Sequence, residues 1–232
     1  MNSKEVVLGE LKKVPQNEPI LVGSIYKKYL YSQMSELAFM QIISRLCRAG
    51  ELARVSKGIY CFAKTTRFGT IVLSDKEIEE YYTANSEGMV VGYSLYNKLG
   101  VTTQISKKVI IYSSKVEDNL KQIGNVTIVK CNLKYTNNVK AIIQMMELIR
   151  HCTEIQDLNS EAMLKALHYL SQYYTNEDFA RVQETIKYPK WAIAFMKDIL
   201  DYNNIKNNLG SYLSTLSKYK TIGIVGVYES TY

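Results

Sequence analysis

Between Ser35 and Phe62 the spacing of the apolar residues changes period once, at a glycine. Phe39, Ile42, Ile43, Leu46 and Cys47 stand at i, i+3, i+4, i+7 and i+8, which is one stripe of a helix. Ser35 precedes the stripe as an N-cap, its hydroxyl able to take a free amide of the first turn. Gly50 suits the left-handed residue that closes a helix. "ELARV" and "GIYCF" then read as two short strands turned through Ser56, Lys57 and Gly58, with Gly58 supplying a positive φ. A helix joined this tightly to a hairpin leaves few arrangements for the chain before it. Upstream, Val7, Leu8, Leu11 and Val14 predict a first helix over Lys4–Val14, which "PQNEP" breaks. Ile20–Tyr31 is expected as a second helix with Ile25, Tyr29 and Leu30 on its apolar side.

Three helices followed by a β-hairpin is the order of a winged helix-turn-helix, expected here over residues 1–70. Residues 71–232 read as a second domain, mixed α/β first and then helical. Ser74 and Glu77 stand at capping-box spacing before "DKEIEEYYTA". "GYSLYNKLG" is a short helix closed by Gly100, and Lys108–Tyr112 and Asn125–Cys131 are strand-like. Helices are expected at about Asn138–His151, Ser160–Tyr173, Asn176–Lys187 and Lys190–Asn208, and the tail "TIGIVGVYES" is strand-like. The predicted fold class is therefore α+β, mainly helical.

Charge is distributed unevenly. Residues 1–70 hold 11 Lys/Arg and 5 Asp/Glu, a balance of +6, whereas the other 162 residues hold 18 and 17, a balance of +1. An anionic partner is expected for the first part alone. With the Phe39 stripe buried, the third helix turns Glu36, Ala38, Gln41, Ser44, Arg45 and Arg48 outward. Gln pairs bidentately with adenine, Arg with guanine, and an Ala methyl meets the thymine methyl. Arg48, Arg54 and Lys57, together with Lys27 and Lys28, are placed for phosphates or a neighbouring minor groove. The stretch thus reads as a recognition helix with a basic wing, although many solvated helix faces carry two arginines. A protein- or RNA-binding module is the competing reading.

Little in the chain points to catalysis. His151 stands beside Cys152, but no third orienting group accompanies them. Phosphate-loop, HExxH and GxSxG motifs are absent from the sequence. Cys47, Cys61, Cys131 and Cys152 form no CxxC pair and read as small buried apolar residues, so no metal or cofactor is expected. The tyrosine groups, Tyr81, Tyr82, Tyr93 and Tyr96, then Tyr169, Tyr173 and Tyr174, read as core or interface. No apolar run reaches the roughly 18 residues of a membrane span, and the charged start is unlike a signal peptide, so a cytoplasmic protein is expected.

The run "AFMQIISRLCRAGELARVSKGIYCFAK" resembles the N-terminal module of AbiEi-type antitoxins, a helix ending Leu-x-x-x-Gly-x-Leu, a basic strand, then Lys/Arg-Gly-x-Tyr. Leu46, Gly50, Leu52, Arg54, Lys57, Gly58 and Tyr60 carry the match. "GMVVGYSLYNKLGVTTQISKKVIIYSS" is similar to the family's following segment through Gly88, Leu99, Gly100, Thr102, Thr103 and Gln104. "AIIQMMELIRH" and "YPKWAIAFMKDIL" resemble helices of related antitoxin-like proteins, so the likeness covers roughly residues 20–200. The resemblance implies an autorepressor of a type IV toxin–antitoxin system. Binding to inverted repeats in its own promoter, double-stranded DNA, is then expected, and since one winged helix reads a half-site, so is self-association on the operator, as two copies or cooperative loading. The resemblance also implies a functionally paired nucleotidyltransferase-like toxin, without a stable complex. The helical tail departs from the better-known members, and regulators of mobile elements without antitoxin activity are the alternative within the same likeness.

Overall fold

A computed structural model describes residues 2–67, 69–214 and 219. The chain is α+β. Its internal contacts divide it into Met1–Tyr81 and Tyr82–Tyr232, later than the 70/71 boundary expected from sequence.

The first unit begins with α1, Ser3–Leu11, held by a reciprocal capping box of Asn2 and Glu5. The helix is shorter than the expected Lys4–Val14, because Lys12–Val14 turn away ahead of Pro15. Ile20–Leu21, expected from sequence to open a helix running to Tyr31, instead forms strand β1, and α2, Val22–Ile25, follows it at once. The next turn, Tyr26–Leu30, is a π-turn, in which the Tyr31 amide donates to the Tyr26 carbonyl at 2.9 Å. Tyr29, expected on the apolar side, is 42% exposed. Its ring instead carries the Lys13 and Lys28 ammonium groups at 5.5 and 5.1 Å from its centroid.

Helix α3, Glu36–Arg48, follows the sequence closely. The Ser35 hydroxyl accepts from the Ala38 amide at 3.3 Å, Phe39, Ile42, Ile43 and Leu46 are buried, Cys47 is half-buried, and Gly50 has φ +73°. Strands β2, Leu52–Ser56, and β3, Ile59–Phe62, pair antiparallel, and β1 joins the free side of β3, giving the order β1–β3–β2. Arg54 opposes Tyr60 and Ser56 opposes Ile59, so Val55 forms a bulge beside the turn. Gly58 has φ +74° there. A small core joins α1, β1, α2, α3, β2 and β3 through Val7, Leu11, Ile20, Tyr26, Phe39 and Ile43.

A second hairpin, β4 (Lys64–Thr66) and β5 (Gly69–Ile71), precedes α4, Asp75–Thr83, within which the division of the chain falls. Glu77 accepts from the Ser74 amide at 2.8 Å and hydroxyl at 2.9 Å, and its own amide donates back to the Ser74 hydroxyl. Those bonds, with the Lys64 ammonium at 3.3 Å, hold its carboxyl below the usual carboxylate range. A depressed folded value adds stability above the unfolded carboxylate pKa, and that stability is lost as pH falls through the folded one. Glu77→Ala should therefore be less stable than the parent at neutral pH, and the gap should shrink on acidification, as urea unfolding at pH 7 and in the acid limb would show.

In the second unit, β6 (Gly88–Val91), β7 (Val109–Ser113), β8 (Leu120–Ile123) and β9 (Val126–Lys130) form one sheet in the order β6–β7–β9–β8. The central β7–β9 pair is parallel and both edges are antiparallel. Sequence reading found β7 and β9 but neither edge strand. The short helix α5, Tyr93–Lys98, sits between β6 and β7 in the chain and ends before Gly100 at φ +70°. The helices α6 (Asn137–His151), α7 (Ser160–Ser171), α8 (Asn176–Ile186) and α9 (Lys190–Tyr202) follow. Helix α9 stops short of Asn208 because Asn204 takes a left-handed conformation, φ +57°. Together they bury one continuous core that includes Ile142, Met146, Leu167, Phe179 and Phe195. Tyr82, Tyr96 and Tyr174 are buried, whereas Tyr169 and Tyr173 are exposed and bond each other through their hydroxyls at 3.1 Å. The expected strand over 221–230 lies outside the described residues.

Candidate nucleic-acid interface

Helix α3 owes its solvent face to the same periodicity that buries its other side. Leu37, Gln41, Ser44 and Arg48, at i, i+4, i+7 and i+11, share its outermost strip and are all exposed. Arg45 lies beside that strip, also exposed, while Ala38 is only half-buried on its flank. The face is therefore turned toward Leu37, which is 72% exposed, and away from Ala38. Sequence reading missed Leu37 because it counted the face from Ala38. Met40, 36% exposed, borders the strip from the other side.

Ion pairing sorts the cations of this unit. Lys4 meets Glu51 at 3.0 Å, Lys13 meets Glu10 at 2.7 Å, and Lys64 meets Glu77 at 3.3 Å. Among the described residues, Arg45, Arg48 and Lys57 face solvent with no carboxylate within ion-pair distance. Positive charge is thus left without a carboxylate partner along α3 and at the tip of the β2–β3 turn, as it is at the exposed Lys12 and Lys28. Arg54 lies near the C-terminal turn of α3: its charge acts on the half-buried Cys47 thiol, which burial raises and Arg54 lowers. The Arg54 Nε also donates to the Ser56 carbonyl at 3.4 Å, which fixes its stem to the bulge. Lys27 and Lys28 stand exposed on the π-turn, Lys28 over Tyr29. Gln41 and Ser44 are exposed, and among the described residues their side chains have no hydrogen-bond partner.

An exposed amide, a hydroxyl and two guanidinium groups along one helix suit base edges and phosphates. Cys152 is buried, which pushes its thiol up, and the His151 ring turns to Glu154 at 2.7 Å. Among the described residues no group of three His, Cys, Asp or Glu side chains is arranged to hold a metal, and no helix is long and apolar enough to cross a membrane.

In the second unit, Thr102 and Gln104, two of the residues on which the sequence resemblance was drawn, fasten a loop. The Thr102 hydroxyl donates to the Gln156 carbonyl at 2.6 Å, and the Gln104 amide donates to Asp157. Neither a protein-family model nor a curated protein matches the chain.

Proposed function

We propose that Met1–Tyr81 is a winged helix-turn-helix module that binds double-stranded DNA, with α3 in the major groove and the Lys57 turn as its wing. One observation supports this reading: Arg45 and Arg48 on α3 and Lys57 at the hairpin tip are all exposed, with no carboxylate partner among the described residues. On the strength of the sequence resemblance, the protein is an autorepressor acting on inverted repeats of its own promoter and the antitoxin partner of a nucleotidyltransferase-like toxin. The antitoxin half rests on that resemblance alone. One module reads a half-site, so tight operator binding requires two copies on the DNA.

A gel shift on the upstream DNA at two salt concentrations tests the reading. Arg45→Ala should cost about 1–3 kcal/mol on the preferred sequence and relax preference there. Lys57→Ala should weaken binding to every sequence and lower the salt slope by roughly one unit. If both variants footprint like the parent, the assigned face is wrong. Exposed Leu37 and Met40 favour a second reading, in which the same face docks on a protein. Binding that does not respond to salt would select it.

A further inference from the structure

Within the second unit, β6, β7, α5, the 106–108 segment and the end of α6 enclose a cavity of about 360 Å³. That is the size of a site for a small molecule. Its walls include the rings of Tyr93, Tyr96 and Tyr112, and among them stands a buried carboxylate, Glu147, 3% exposed. Glu147 Oε1 accepts from the Tyr188 hydroxyl at 2.8 Å and the Tyr112 hydroxyl at 3.2 Å. Burial first, and then the Glu147 charge, push both phenols above their ordinary range, so they remain donors. Oε2 is served differently. Among the described residues no donor stands within hydrogen-bond distance of it; His151 Nε2 is 3.7 Å away, within ion-pair reach but too far for a hydrogen bond. The other nitrogen of that ring, Nδ1, is committed to Glu154 Oε2 at 2.7 Å. A buried carboxylate oxygen without a donor is costly unless something in the cavity supplies one.

The rest of the lining selects the kind of donor. The exposed Glu154 adds a second carboxylate, and among the described residues Lys108 is the one lysine of the lining. The Tyr93 and Tyr96 rings meet edge to face, with centroids 5.8 Å apart. Their hydroxyls are already engaged: Tyr93 donates to the Glu154 carbonyl at 3.2 Å and accepts from the Gln156 amide at 3.1 Å, and Tyr96 donates to the Glu147 carbonyl at 3.4 Å. The rings are therefore fixed as walls, and aromatic rings of this kind attract cations. Gly92 lines the same space at φ +68°, ψ −151°, a conformation open to glycine, and a Cβ there would stand 3.4 Å from Ile110 Cδ1.

We propose that this cavity binds a small organic cation bearing an amino or amidino group, whose N–H groups donate to Glu147 Oε2 and Glu154 while its body packs against Tyr93, Tyr96 and Tyr112. The site is separate from the DNA-binding reading and is tested without DNA. Titrating the full chain calorimetrically with benzamidine, benzamide and benzoate separates charge from shape, since the three share one ring. Benzamidine should bind with Kd below about 1 mM, benzamide about tenfold more weakly or worse, and benzoate not measurably. Glu147→Gln should weaken benzamidine by about tenfold or more. Should that variant fail to fold, Glu154→Gln, at an exposed position, decides, with an expected loss of about threefold. The proposal is overturned if benzamidine fails to bind at about 10 mM, if benzoate binds as well as benzamidine, or if the folded variants bind it like the parent.

Discussion

Replacing Gly88 by alanine should destabilise the second unit by at least about 3 kcal/mol and lower its melting midpoint by roughly 6–12 °C. Strand β6 starts directly beneath the end of α4. A Cβ at position 88 would lie 2.2 Å from the Tyr82 carbonyl oxygen, 2.8 Å from that of Tyr112 and 3.1 Å from Ser113 Cβ. Two of these neighbours are backbone atoms, and neither can swing aside like the end of a side chain. The buried Ser113 hydroxyl also donates to the Tyr82 carbonyl at 2.8 Å and the Glu87 carbonyl at 3.0 Å, so the crowded atoms are already tied in place. Hydrogen exchange in β6 and β7 would locate the damage. Gly9→Ala is the matching control: no atom stands within 4 Å of its would-be Cβ in α1, and the change should stabilise by about 0.5–1 kcal/mol. Equal melting of Gly88→Ala and the parent would refute the close approach.

Phe39→Ala should destabilise the first unit by about 3–5 kcal/mol and abolish DNA binding, although Phe39 faces away from the proposed interface. Its ring is 1% exposed and stacks on Tyr26 with centroids 5.4 Å apart. Tyr26 in turn donates to the Met34 carbonyl at 3.0 Å, in the turn that leads into α3. Among the described residues the cluster that holds Phe39 has thirteen buried apolar members, so one lost ring removes a large share of it. Urea unfolding and exchange of the α3 amides would measure the loss. Retained α3 protection together with lost DNA binding would contradict the account, since Phe39 acts only by holding the helix.

These two residues also mark where sequence was readable. The role of Phe39 follows from a stripe with a cap at one end and a glycine at the other, all local signals. The constraint on Gly88 comes from a carbonyl of another element, which no periodicity reveals. Strand β1 escaped for a similar reason: Ile20 and Leu21 have no strand pattern of their own and are ordered by pairing with Tyr60 and Ile59. Strand β8 exposes Leu120 at 60% and lacks a clean alternation. The α3 face was legible except for its exact rotation, which exchanged Leu37 for Ala38. Glu147 did leave a signal. Met145, Met146, Leu148 and Ile149 surround it, so α6 is apolar nearly all round, and an acid in such a helix is buried.

The π-turn at Tyr26–Leu30 gives the chain one place where its length is adjustable. A π-turn holds one residue more than an α-turn, so removing an exposed member such as Tyr29 can be absorbed by tightening the coil, with Ile25 and Leu30 kept inward. The same excision within α3 would rotate everything downstream by about 100° and carry its arginines off the outer side. Length variation among descendants of this chain should therefore collect in the former segment and spare the latter.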